Sequence, residues 1–558
     1  MDRMRRRRHA LTALVALAAL ALGACGGGGG SGNKTGGAAK TGATKVTGPS
    51  GAPKSGGTLR YGIEAETDGL NPTKNRFAIS AFAMGTAVFD RLAHLDTHGK
   101  VKPYLALSWT PSADYMSWTV KLRPGVKFHD GTPFNAEAAK VGLDRAAADP
   151  LIGLAVRAAF NNKTPAEVVD NLTVKFNMKE PNTHLPYYLT SQVAFAASPK
   201  WLAAADKNPD LNQQPVGTGP FKFASRVRDG STKFVRNDSW WGGKVPLDGI
   251  EFVVQTDSAR RADQLLAGDL DVMHTSDPQT IKLLRGEKNI QKFEENKGEE
   301  SFVMMNTQSA PFDDIRVRKA LTLSTPKRKY LDVIGEGILT PADSMFHPDL
   351  KWYNPAVKQQ ADDPTAAAAL AKQYCAEKPQ YCTGDKIKMS FKYTGPSVQQ
   401  DLTADTLVGG WESAFVVKRD QVLQDDYITQ VALGNYQVVT WRQYGAEDPD
   451  GDVLWHDCRV TGPPGGLSLN WTRNCNPKTQ AAFLEQRHSP DDKVQIAAWK
   501  TIAQNIHDDY IYVFLNHTDW MIAARDNVGD VIGRKLPDGS MSGFNNGFHL
   551  LSQIWLNR

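Results

Sequence analysis

The chain has 558 residues, 41% of them hydrophobic, enough for two or three domains with cores of their own. Its formal charge of +5 gathers at one end. Arg3, Arg5, Arg6, Arg7 and Arg8 against Asp2 supply four of those charges, Lys34, Lys40, Lys45 and Lys54 supply four more, and the remainder lies near −3. A nucleic-acid binder needs a basic body, and this composition excludes one.

Residues 1–25, MDRMRRRRHALTALVALAALALGAC, join a basic start to an apolar run from Ala10 to Leu22. That is the length of a signal peptide and short for a membrane span. The run ends in Leu22-Gly23-Ala24-Cys25, which resembles a bacterial lipobox, with Cys25 the expected lipid carrier. Residues 26–56 are rich in Gly, Ser, Thr and Lys and read as a flexible tether. Export implies an oxidising compartment. With Cys25 taken by lipid, the remaining cysteines pair by proximity as Cys375–Cys382 and Cys458–Cys475. Neither pair has the spacing typical of a zinc site. No other apolar run approaches the length of a membrane span.

Ordered sequence begins near Gly57. The stretch 58–66 (TLRYGIEAE) reads as a strand, and 78–96 as an apolar helix. Alternation over 117–128 predicts a strand broken at Pro124-Gly125, and Asn135 is the expected N-cap of a helix running toward Ala148. Residues 250–275 read strand, helix, strand: a β-α-β unit with a parallel pair and a right-handed crossover. Ligands in such sheets sit beyond the carboxyl ends of the strands, which puts His274 and Thr275 at an expected cleft edge. Further strands are expected over 301–306, 386–393, 415–422, 436–441 and 510–516, with helices over 313–324, 398–414 and 493–508. These form a second α/β unit.

Catalytic constellations fail on inspection. Gly466-Leu467-Ser468-Leu469-Asn470 lacks the second glycine of a nucleophile elbow, and Ser324-Thr325-Pro326-Lys327 lacks the partner motifs of the penicillin-interacting enzymes. The stretch 448–452 (DPDGD) has its glycine at the wrong position for an EF-hand, so it reads as an acidic loop or an irregular calcium site. There is no P-loop, no H-E-x-x-H and no G-x-G-x-x-G. An exported chain of this length without such a constellation points to binding instead of turnover.

Four blocks, 88–140, 215–223 (PVGTGPFKF), 262–273 (ADQLLAGDLDVM) and 305–321, closely resemble the signature of the extracellular solute-binding proteins of the peptide/nickel class, family 5. The resemblance runs from about Gly57 to the C-terminus. It implies an α/β, two-lobed, periplasmic-binding-protein-like flytrap with an extra inserted subdomain. Lobe I would comprise 57–103, 215–299 and 525–558, with 104–214 inserted in it, and lobe II 300–524. It further implies a monomeric receptor without cofactor or metal, held outside the cell membrane through Cys25 and delivering its solute to an ABC permease. In the family His129-Asp130-Gly131-Thr132-Pro133-Phe134 is a structural turn.

In the family's peptide binders an aspartate three residues after the tryptophan of a lobe II strand pairs with the peptide's amino terminus. Here Trp441 is followed by Arg442, Gln443 and Tyr444, and acids come later, at Glu447, Asp448 and Asp450. Three readings stay open: an acid supplied by Glu447 or Asp448, a ligand without a free amine such as an oligosaccharide or another uncharged solute, or a modified peptide; a metal chelate is a further alternative ligand. The residues expected to line the cleft are Trp441, Tyr444, His274, Thr275, Asn306 and Glu64. The competing classes are a signalling or scavenging receptor and an exported hydrolase on the same scaffold.

Overall fold

A computed structural model describes residues 48–443, 448–463, 465–544 and 547–558. Tyr444, Glu447 and Cys25 lie outside the described residues. Two seven-stranded sheets organise the chain. The first runs in the order Ile290–Glu295, Trp520–Arg525, Val272–Thr275, Thr58–Ile63, Gly249–Val254, Ser231–Arg236, Phe221–Val227. The β-α-β reading of 250–275 needs one correction. Its two strands are parallel to a common neighbour, Thr58–Ile63, which lies between them, so they do not pair with each other. The helix in the crossover, Ser258–Ala267, is capped by the Asp257 carboxylate and ends at Gly268, whose φ of 88° suits only glycine well.

The apolar stretch 78–96 is also shorter as a helix than its composition indicates. The helix Ile79–Val88 stops at Phe89, which turns extended, and Ala93–Leu95 forms a strand with Val101–Pro103. Nearly every residue of that helix is buried, so no amphipathic stripe marks its end.

A four-stranded antiparallel sheet, Ala106–Pro111, Ser117–Leu122, Thr173–Asn177 and Ala166–Asp170, lies off the first sheet. Its Val120 and Phe176 share one hydrophobic core with Leu59, Tyr61 and Phe252 of the first sheet. The His129 turn and the block 215–223 meet here. The imidazole of His129 lies 2.9 Å from the carbonyl of Gly219, and its other nitrogen accepts from the amide of Gly217. A Cβ at Gly217 would stand 2.1 Å from the carbonyl oxygen of Val88, so the glycine allows a close backbone approach. Burial lowers His129 to about 4, against the opposing pull of the Gly219 carbonyl, which leaves it a neutral structural group.

The second sheet runs Thr340–Pro341, Tyr512–His517, Glu300–Met305, Val438–Gln443, Lys386–Thr394, Cys382–Thr383, with Phe415–Val422 also paired to Lys386–Thr394. Period-two alternation sorts its side chains onto two cores. Val303 and Met305 face one, with Phe391 and Trp411; Phe302 and Met304 face the other, with Val439 and Trp499. Disulfides join Cys375 to Cys382 and Cys458 to Cys475, with Cα separations of 5.7 and 4.9 Å.

Two short connections link the sheets. The strand Ile290–Glu295 of the first leads to Glu300–Met305 of the second, and Tyr512–His517 of the second leads back to Trp520–Arg525 of the first. The connections run side by side, and the Thr518 amide donates to the Glu299 carbonyl at 2.8 Å. Beside them Glu300 and His517 are buried in contact, Oε1 to Nδ1 at 2.8 Å. Burial pushes Glu300 well above the usual carboxylate range and, with the charges of His347 and Lys327, lowers His517 to about 3. The pair is therefore a neutral acid donating to a neutral imidazole. Among the described residues no helix is long and apolar enough to cross a membrane.

Candidate functional site

The seam between the sheets is built from strand ends. The parallel strands Thr58–Ile63 and Val272–Thr275 of the first sheet deliver Glu64 and Ser276 just past their carboxyl ends. From the second sheet, Val438–Gln443 delivers Trp441 and Arg442. Successive strand residues point to opposite faces, so these two diverge.

Arg442 reaches across the seam. Its Nη1 donates to Ser276 Oγ (2.6 Å), its Nε lies 3.0 Å from Glu299 Oε2, and its Nη2 is 3.5 Å from Glu64 Oε1. The guanidinium stands 4.8 Å over the ring of Trp520, whose indole N–H donates to the same Glu299 oxygen. Two carboxylates thus share one guanidinium. Burial works against the Arg442 charge, but Glu299 and Glu64 outweigh it and hold the group protonated. Burial would raise Glu64, yet Arg442 and Arg261 bring it below the usual range. Glu299 goes the other way: burial raises it, and Arg442 and the Trp520 N–H offset only part of that. The seam holds strongly coupled charges of both signs.

Trp441 serves the second sheet. It stacks on Tyr427 at 5.4 Å between centroids with the planes 17° apart, and meets Trp471 edge-on at 4.5 Å. Trp455 lies against the same Trp471 at 4.6 Å. Trp441 is half-buried, at the margin of a core, with its N–H donating to Gln443 Oε1.

Three of the residues expected at the cleft are occupied otherwise. His274 is fully buried. Its Nε2 accepts from the Glu64 amide at 3.2 Å and its Nδ1 faces the Gly547 carbonyl at 3.0 Å. Burial, opposed by Glu64, lowers it to about 4, so both nitrogens of a neutral ring are spent. Its place is behind the site, where it fixes the backbone that carries Glu64. Thr275, also fully buried, bonds Ser258 Oγ at 2.8 Å and accepts from the Asp277 amide. Asn306 donates to the carbonyls of Gly434 and Tyr436 and ties a turn of the second sheet. All three side chains are bonded within the protein. Of the five that are described, Glu64 joins the charged seam, and Trp441 stands on the opposite face of its strand.

Arg442, Glu299 and Ser276 were missed. One signal was available: Arg442 follows Trp441 and so leaves the opposite face of the same strand. Asp448, one of the alternative acids, is buried against His184, 2.6 Å from Nδ1. Asp450 accepts from Arg487. Asp448 and Asp450 are therefore bonded within the protein, and the described residues hold no group of three His, Cys, Asp or Glu arranged for a metal ion.

The fold and this seam define a two-lobed binding protein of the periplasmic type. The family model for "Bacterial extracellular solute-binding proteins, family 5 Middle" matches residues 100–461, and the chain belongs to that family. Di/tripeptide-binding protein 2 of Pseudomonas aeruginosa (strain UCBPP-PA14) is 26% identical over 500 residues, 84% of this chain and 91% of that protein. Among solved structures, the periplasmic binding protein DppA of Helicobacter pylori, in complex with the peptide STSA, superposes with a TM-score of 0.78 at 20% identity, covering 90% of this chain and 99% of that one. AgaA of A. tumefaciens R10, in complex with agropinic acid, gives 0.75 at 21% identity over 89% of this chain and 96% of that one.

Proposed function

We propose that the chain is a lipid-anchored extracellular receptor of an ABC importer, which takes a peptide-like solute between its lobes and hands it to a membrane permease. The observation that carries this reading is the charged seam. Glu64 and Glu299 lie against Arg442 where the two sheets meet, and a peptide's ends bring one charge of each sign to such a place. The likeness to a di/tripeptide-binding protein over most of both chains supports it. We read 57–103, 215–299 and 525–558 as lobe I with 104–214 inserted, and 300–524 as lobe II. The core shared by the insert and the first sheet supports this division, and the sheets modify it at one place: Trp520–Arg525 is a strand of the first sheet, which moves the return to lobe I to about residue 518.

A second reading, an oligosaccharide or other uncharged solute or a metal chelate, is favoured by the tyrosine at position 444. A thermal-shift panel separates the two. The panel holds free tripeptides, the same peptides N-acetylated, oligosaccharides and a nickel chelate. Free peptides are expected to raise the melting temperature in a concentration-dependent way. Stabilisation by sugars or the chelate alone would overturn the peptide reading.

In this reading the solute extends past the seam to the aromatic margin of lobe II, where Trp441 is half-buried, and Trp441→Ala weakens solute binding by about 1–3 kcal/mol, as removal of an aromatic anchor does. An unchanged dissociation constant in calorimetry would remove Trp441 from the site. Cys25→Ala is expected to move the protein from the membrane to the soluble fraction, which fractionation of cells expressing the variant reads directly.

A further inference from the structure

A second contact joins the two sheets' bodies. The segment 180–188 leaves the inserted sheet and meets lobe II elements. Glu180 takes both Arg459 (2.6 Å) and Arg487 (3.0 Å), the Thr183 amide donates to the Arg487 carbonyl (3.0 Å), and the Tyr188 hydroxyl donates to Asp450. At its centre His184 Nδ1 lies 2.6 Å from Asp448 Oδ2, and both side chains are about 95% buried.

A carboxylate faces Nδ1 of His184, the partner that favours an imidazolium. Nε2 lies 3.4 Å from both an acceptor, the Gln486 carbonyl, and a donor, the Gln495 amide nitrogen, so the close contact to Asp448 decides the state of the ring. The charge tally agrees. Glu180, Asp448, Asp450 and Asp457 face the guanidiniums of Arg459 and Arg487, and His184 is the remaining group able to add positive charge. Asp452, raised to about 8 by burial and then by Asp448, adds little charge at neutral pH, and His488 is exposed at the rim.

We propose that closure of the two lobes takes up a proton at His184: the imidazolium pairs with Asp448 only when the insert meets lobe II, so the receptor closes at acidic and neutral pH and opens as the medium becomes alkaline. Burial by itself would push the imidazole down, but the Asp448 and Asp450 carboxylates outweigh it and raise it to about 9. A group raised in the closed form favours that form fully below its ordinary value near 6.5 and loses the effect as pH climbs through about 9. The closed-to-open ratio therefore falls by up to about tenfold per pH unit between those limits.

The test uses the full chain without solute, so its outcome does not depend on what the receptor carries. Histidine-labelled protein is titrated by NMR from pH 6 to 10, with His184→Gln marking the resonance, and the radius of gyration is followed by small-angle scattering over the same range. We expect His184 to titrate above pH 8, the radius to grow across that titration, and Asp448→Asn to move both to lower pH. The variant Asp448→Asn also identifies the resonance where His184→Gln does not fold. Titration near 6.5, a radius constant from pH 6 to 10, or opening of Asp448→Asn at the wild-type pH would overturn the proposal.

Discussion

Replacing Arg487 by methionine is expected to destabilise the protein by about 3–5 kcal/mol at pH 7, the cost of stranding a buried carboxylate. Arg487 grips Asp450 through two nitrogens, Nε to Oδ1 at 2.9 Å and Nη2 to Oδ2 at 3.2 Å, and both side chains are no more than 3% exposed. Burial alone would raise Asp450; Arg487 and then His184 reverse that and hold it well below the usual carboxylate range. A depressed carboxylate contributes stability above its ordinary value near 3.8 and loses it as pH falls. The gap between wild type and Arg487→Met should therefore be full at neutral pH and narrow below pH 4. Urea denaturation at pH 7 and pH 3.5 reads both numbers. Adding Asp450→Asn to Arg487→Met should recover much of the loss, because no buried charge is then left over. A loss that persists unchanged in the double variant would mean that packing, not charge, is what Arg487 supplies.

Arg442→Met is expected to act on solute binding more than on stability. Its side chain is 34% exposed, so water screens its ion pairs and their removal costs the fold only about 0–1 kcal/mol. Closure on a solute is different, because it buries Glu64 and Glu299 with no guanidinium between them. Affinity should fall roughly 10- to 100-fold, in line with loss of one partner of a desolvated pair. The variant's affinity should also rise as pH is lowered, since carboxylates raised by closure bind protons on closing. Calorimetry with the best peptide of the thermal-shift panel, at pH 5 and pH 7.5, measures both effects. Wild-type affinity in the variant would remove Arg442 from the solute site.

Much of this architecture was legible in the sequence, and the misses have physical causes. The stretch 301–306 shows itself as a strand because apolar residues run through it without break, as a strand covered on both faces requires. The helix over 313–324 announces its start with Asp314, which caps it. The pairing of the two strands in 250–275 is not legible locally, because the pattern shows that the strands are parallel and is silent on what threads between them. The intervening strand, Thr58–Ile63, lies almost two hundred residues earlier.

Site residues were harder to read. His274 and Thr275 do end a parallel strand, but that position leaves open whether a side chain faces the cleft or turns back into protein, and here both turn back. Asn306, which lies in a family block, ties the chain locally through Gly434 and Tyr436. The resemblance points to the position three residues after Trp441 and gives Arg442 no signal of its own. The charged group that spans the seam is one residue after it, and its partners Glu64, Ser276 and Glu299 come from places in the sequence that no spacing connects to it.

Native mass spectrometry of protein purified without denaturation shows whether the lobes hold a peptide-like solute. A spread of adducts with peptide masses, displaced by an added tripeptide, is expected. A single adduct of sugar or chelate mass, or no adduct with peptides in excess, would mean that they do not.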